Sequence, residues 1–204
     1  MTTVPQHTTS TTPAPQTGGR IRTAATIGLA GAVLSLVSWS LMLSNPAEGT
    51  GRWYAGFIVG GIAMIGTTVL VLGLYAARET GPGATGRSFL ALWALGQLIL
   101  LTGGAQALIA GNQDTILFPI GGITAGLAAL VSSIFIARNS RLAGSPRRWA
   151  PLVYCAGTLV TSFFQGEQHT LQVNLADLTN TLLLLLLAGA FFTGVRASSN
   201  PITQ

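Results

Sequence analysis

The chain is short of nearly everything a soluble enzyme uses for chemistry. Its 204 residues include five Asp or Glu, two His and one Cys, and with no Lys present all ten basic residues are Arg. Charged residues make up 7% of the chain, against about 25% in soluble domains. The single cysteine, Cys155, excludes an internal disulfide and any paired-cysteine zinc or redox motif, and reads as a small apolar core residue. Haem held between two membrane histidines is excluded too, because His7 falls in a polar N-terminal stretch and His169 stands alone. There is no HExxH, no GxSxG, no Walker-type glycine loop, and no dinucleotide GxGxxG followed by an acidic residue at the expected distance. The expectation is a non-enzyme, with no catalytic residue, no metal and no cofactor.

The formal charge of +5 does not point to nucleic acid. A binding surface needs basic residues clustered on a solvated face, whereas these arginines punctuate apolar runs. Hydrophobic residues reach 49% and the mean hydropathy is +0.57, which makes a membrane protein the default reading. The arginine-only cations fit a GC-rich coding sequence, and the description reached is of a small bacterial membrane protein.

A bilayer core of about 30 Å needs roughly 20 apolar residues at a rise of about 1.5 Å each. Runs of that length lie at about 23–44, 54–77, 88–111, 116–137, 149–167 and 175–195, with arginines at their ends. The expected fold is therefore all-α, a polytopic transmembrane helical bundle of six spans within residues 20–197. Short connections rich in Gly, Pro and Asn predict compact hairpins. Shared endings, "LYAARET", "FIARNS" and "TGVRASS", and the pair "FIVGGI" and "FPIGGI", suggest three tandem helical hairpins. Pro119 and Pro151 fall near helix starts, where a missing N–H does least harm.

Placing alternate connections on opposite sides sorts the arginines: Arg20, Arg22, Arg78, Arg87, Arg138, Arg141, Arg147, Arg148 and Arg196 fall on one side, Arg52 alone on the other. By the positive-inside rule, both termini are then cytoplasmic and the protein belongs in the cell (plasma or inner) membrane. Glu48, Asp114, Glu167 and Asp177 fall outside, with Glu79 the exception. Residues 1–19, rich in Thr, Pro and Gln, are expected to be a disordered cytoplasmic tail, and 198–204 a short one. A secretory signal peptide competes for residues 20–47, but the apolar run is longer than a signal core of about 7–15 residues, so a retained first helix is preferred.

Lipid gives helices little hydrophobic reason to meet, so small residues mark where backbones approach. The stripes Gly28, Gly31, Ser35, Ser38; Gly56, Gly60; Gly96, Gly103; and Gly121, Ala125, Ala129 predict that the first four helices pack tightly. Gly122 and Gly126 lie beside the last stripe. The Leu block at 182–187 predicts a peripheral sixth helix wrapped by lipid. Trp53, Tyr54 and Trp149 are placed as interfacial anchors, and the deeper Trp93 as a packing residue.

No Asp, Glu, Lys, Arg or His lies within the membrane depth of any span, which weighs against a proton-coupled carrier. Among neutral residues, Gln97 lies about 15 Å in from Arg87, and Thr102 and Gln106 continue outward as a candidate intramembrane polar strip. Glue between helices is the plainer account of them, at about 1 kcal/mol per bond. At the outer interface, "FFQGEQHTLQVNLADLTN" collects Gln165, Glu167, His169, Asp177 and Asn180 as a candidate polar mouth. A divalent cation at Glu167, His169 and Asp177 is chemically reasonable, but no ligand spacing is recognised, and a solvated turn is preferred. "NLAD" reads as a helix start capped by Asn174, with Asp177 on the positive end of the dipole. Two functions follow: packing in the lipid bilayer against a second copy or another membrane protein, or passage of a neutral solute.

Overall fold

The computed structural model describes residues 17–43, 46–162 and 171–198, and every regular element among them is helical. Six α-helices, α1 (Thr17–Met42), α2 (Gly51–Ala77), α3 (Ala84–Ala110), α4 (Leu117–Arg138), α5 (Ala150–Ser162) and α6 (Leu171–Ser198), run in chain order, with two single 3-10 turns between α4 and α5. Helix α2 starts where the Thr50 hydroxyl accepts the Trp53 amide at 3.4 Å. It stops at Arg78, which takes the left-handed conformation at φ 55° while its amide donates to the Leu74 and Tyr75 carbonyls. Helix α3 ends the same way at Gly111, φ 72°, where the lack of a Cβ removes the cost.

Four of these helices, α1 from Gly19, α2, α3 and α4, are long and apolar enough to cross a membrane. The 13 residues of α5 amount to about 20 Å of helix. The apolar part of α6 is Asp177–Thr193. Residues 163–167 of the fifth expected span lie outside the described residues, as do 1–16 and 199–204 of the two expected tails. Helix α1 begins at Thr17, within the last three residues expected for the N-terminal tail.

Each helix packs against its neighbours in sequence, and α6 returns to α1, closing a ring. Hairpin loops alone would allow many orders. The closing contact comes from α6, whose Leu184, Leu187, Ala188 and Phe191 join the same buried cluster as Ile21, Ala25 and Ala32 of α1. This corrects the expectation of a peripheral sixth helix: the Leu-rich helix turns Leu182 and Leu186 to the outside of the bundle and Leu184 and Leu187 to the core. Side chains on opposite sides of one turn meet different surroundings.

The glycine stripes act where expected within the first two hairpins. A Cβ at Gly31 would lie 2.7 Å from the Ala63 carbonyl oxygen and 3.0 Å from the Gly66 Cα, so α1 and α2 touch backbone to backbone there. Farther along, the Ser38 hydroxyl donates to the Gly56 carbonyl at 2.9 Å. In the second hairpin Gly96 faces the Ala125 backbone, and a Cβ at Gly121 would lie 2.9 Å from the Leu100 nitrogen. Such contacts supply the close van der Waals packing that lipid cannot.

The two ends of the ring differ. At one end the α2–α3 and α4–α5 connections meet, through Arg147 Nη1 at 3.5 Å from Glu79 Oε1 and Asn139 Nδ2 donating to the Glu79 carbonyl at 2.8 Å. Arg22 lies over the Phe192 ring at 5.9 Å, bringing the start of α1 and the late part of α6 to that same end. At the other end Arg52 donates to the Leu41 and Ser40 carbonyls at 2.7 and 3.2 Å, placing its charge on the negative C-terminus of α1. Trp53 is only 1% exposed and packs on Phe57 with ring centroids 4.4 Å apart. It is a core residue and not the interfacial anchor expected, because the α2 face carrying Gly56 turns it inward. Trp149, by contrast, is exposed.

Candidate functional site

Of the expected outer mouth, Gln165, Glu167 and His169 lie outside the described residues. Asp177 and Asn180, three residues apart, share one half-buried face of α6, and neither is without a partner. Next to them Thr181 is buried and its hydroxyl donates back to the Asp177 carbonyl at 2.9 Å. The capping role read from "NLAD" is overturned: α6 starts at Leu171, so Asn174 and Asp177 are already inside the helix. Leu171, Gln172 and Val173 contain no breaker, and the helix continues through them.

The expected strip of Gln97, Thr102 and Gln106 is not a strip. At 100° per residue, five positions carry Thr102 about 140° round from Gln97, and nine carry Gln106 to the opposite side. Thr102 is exposed and donates to the Leu98 carbonyl at 2.9 Å. Gln106 is also exposed, its Oε1 accepting from the Thr115 hydroxyl at 2.8 Å at the head of the α3–α4 connection. Other hydroxyls along the bundle bond within their own helices: Thr67 to Ala63, Thr68 to Met64, Ser132 to Ala128. Ser133 also meets Cys155 of α5 at 3.3 Å, so that one hydroxyl does join two helices.

Gln97 is left by itself, and its place is distinctive. It is the central residue of α3, 8% exposed, and its amide makes no hydrogen bond among the described residues. It lines a cleft of about 450 Å³ where α4 and α5 part in front of α3. Trp93 and Tyr154 form one wall, with rings stacked at 6.2 Å and 23°. Gly122 and Gly126 leave the α4 side open, since a Cβ at either would meet nothing within 4 Å.

A second cleft, about 460 Å³, lies between α2 and α3 toward the Arg52 end. Its lining is apolar apart from Ser38, and Gly61 and Gly104 again have nothing within 4 Å of a would-be Cβ. The two clefts occupy corresponding places. In both "FIVGGI" and "FPIGGI" the first glycine packs against the preceding helix, Gly60 on Ser38 and Gly121 on Leu100, and the second opens a cleft toward the next hairpin.

A third feature was not read from the sequence beyond noting Glu79 as an acid out of place. Glu79 and Thr80 are buried at the arginine-rich end, and Glu79 Oε2, Thr80 Oγ1 and Arg87 Nε have no hydrogen-bond partner among the described residues. Burial pushes the Glu79 carboxyl above the usual carboxylate range, with Arg147 pulling it back. Arg87 lies over the Tyr75 ring at 4.7 Å, and Arg148 donates to the Ala137 carbonyl at 2.6 Å, capping α4. One acid among so many arginines was the available signal. The arrangement ties the α2–α3 and α4–α5 connections together.

No family model, no curated protein and no solved structure matches this chain.

Proposed function

We propose that the chain is a non-enzymatic protein of the cell membrane, crossing it six times with both termini cytoplasmic, that acts by holding a transmembrane helix in the α2/α3 cleft. That helix belongs to a second copy or to another membrane protein. The observation that carries this reading is the pairing of Gly61 and Gly104 as an unfilled floor, with Ile58, Ile62 and Ile65 exposed beside it on the outside of the bundle. Glycines that serve the protein's own packing, such as Gly31 and Gly66, are filled from across the helix pair; these two are not. Small residues with no internal partner are what an incoming helix needs in lipid. The crossing number and orientation are supported by the six apolar runs and by the sorting of arginines between the two ends.

Filling the cleft tests the proposal. Gly61→Leu with Gly104→Leu adds side chains into open space, so the double variant should insert and fold. In lipid vesicles, energy transfer between donor- and acceptor-labelled copies should exceed that of randomly placed proteins and fall to the random level in the double variant. If the partner is another protein, a photo-crosslinker at Ile62 in the native membrane should give one discrete protein adduct that the double variant loses. Absence of both signals in the well-folded parent chain would overturn the reading.

A further inference from the structure

We propose that the cleft between α3, α4 and α5 binds an uncharged, lipid-soluble molecule that presents a carbonyl or hydroxyl group to the amide of Gln97. The inference does not depend on the partner-helix reading, which concerns the other cleft. A primary amide offers two donors and an acceptor. In the middle of α3, with 8% of its surface exposed and no protein partner among the described residues, Gln97 has that whole capacity directed at the cleft. Thr158, on the α5 side of the same cleft, is satisfied within its own helix by the Tyr154 and Cys155 carbonyls at 3.0 Å, as Thr67, Thr68 and Ser132 are elsewhere in the bundle. Gln97 departs from that pattern.

The chemistry of the walls selects the ligand class. No Asp, Glu, Lys, Arg or His lines the cleft, so a charged head would be stranded there. A volume of about 450 Å³ falls inside the ~300–1,000 Å³ range of small-molecule sites, where mostly apolar walls surround a few orienting polar groups. Trp93 and Tyr154 provide a flat aromatic surface, and Gly122 and Gly126 widen the mouth. Ile123 and Leu127 are exposed at the rim on the outside of the bundle, so entry is sideways from the bilayer. A hydrocarbon tail would fill the space and leave the amide unmet. A carbonyl or hydroxyl meets it.

The full chain in lipid nanodiscs should be photolabelled with two probes of equal length, a diazirine-bearing long-chain ketone and the matching diazirine hydrocarbon. The ketone should label peptides of α3, α4 and α5 saturably, and excess unlabelled ketone should compete. Gln97→Leu, which removes an unpartnered amide and should fold at least as well, should weaken the ketone's apparent affinity about tenfold, the worth of one hydrogen bond in this setting. Gly126→Leu, built into open space, should abolish saturable labelling by closing the cleft. Equal labelling by both probes with no effect of Gln97→Leu would identify ordinary lipid in a groove and overturn the proposal. So would the lack of saturable labelling by either probe.

Discussion

A single carboxylate shows how little of this protein's polarity is free to vary. Glu79 sits buried at the arginine-rich end, its carbonyl taken by Asn139 and one carboxylate oxygen 3.5 Å from Arg147. The other oxygen has no partner among the described residues, and desolvation raises the carboxyl's pKa in the folded state above the ordinary value of 4.5. When an acid's folded pKa is raised, the folded state binds the proton more tightly than the unfolded state. Its contribution is then fully present below pH 4.5 and is lost as pH rises through the raised value. Thermal unfolding in detergent should therefore show a melting temperature that declines from pH 4.5 toward neutrality, by an amount that Glu79→Gln reduces. The variant should match the parent in acid and exceed it at pH 7; a variant less stable at pH 7 would show that the Arg147 pair outweighs the desolvation. Residues of this kind were legible only as exceptions. Glu79 stood out as the acid on the wrong side of the arginine sorting, but its burial depends on how the α2–α3 and α4–α5 connections converge, and no local pattern states that. Asp177 shows the reverse error: "NLAD" has the spacing of a cap, and the helix begins earlier because nothing upstream stops it.

Helices were more readable than their faces. The six apolar runs locate all six helices, and the small-residue stripes correctly mark where α1 meets α2 and where α3 meets α4. What the stripes do not tell is which glycine faces a neighbour and which faces a cleft, since Gly121 and Gly122 are adjacent and differ only by 100° of rotation. The distinction has a measurable consequence. At Gly96 a Cβ would run into the Ala125 backbone, which cannot move aside as a flexible side chain would. Gly96→Ala should cost roughly 1–3 kcal/mol through overpacking, read as a loss of the folded fraction in denaturant titration in micelles. Gly122→Ala, with nothing within 4 Å, should be neutral or slightly stabilising. Equal effects at the two positions would mean that α3 and α4 do not approach as described. The same rotational argument dissolves the polar strip: Gln97, Thr102 and Gln106 follow one another in sequence, but five and nine residues are not helical repeats. Gln97 alone of the three is buried and lines the cleft between α3, α4 and α5, while Gln106 lines a separate hollow at the α3–α4 connection.

The order of helices around the ring was beyond the sequence, because short loops make consecutive helices neighbours without saying whether the last returns to the first. The return is made by apolar faces on α1 and α6 whose partners are more than 150 residues apart, as in Arg22 and Phe192. Closing the ring gathers Arg22, Arg78, Arg87, Arg138, Arg141, Arg147 and Arg148 near one end and leaves Arg52 near the other, occupied in capping α1. For a membrane protein that asymmetry predicts a direction, since basic residues in short loops tend to be retained on the cytoplasmic side. Cysteines introduced in a Cys155→Ser background make the test, Cys155 being the chain's sole cysteine. Glu48→Cys and Gln113→Cys should react with an impermeant maleimide added to intact cells. Thr85→Cys and Arg141→Cys, exposed at the opposite end, should react only after permeabilisation. A cysteine placed between Ser162 and Leu171 decides whether α5 and α6 cross: labelling from outside is the outcome of six spans, and protection there with the other four sites as expected is the outcome of four. Reaction of Thr85→Cys and Arg141→Cys from outside, with Glu48→Cys protected, would invert the protein and take with it the cytoplasmic placement of both termini.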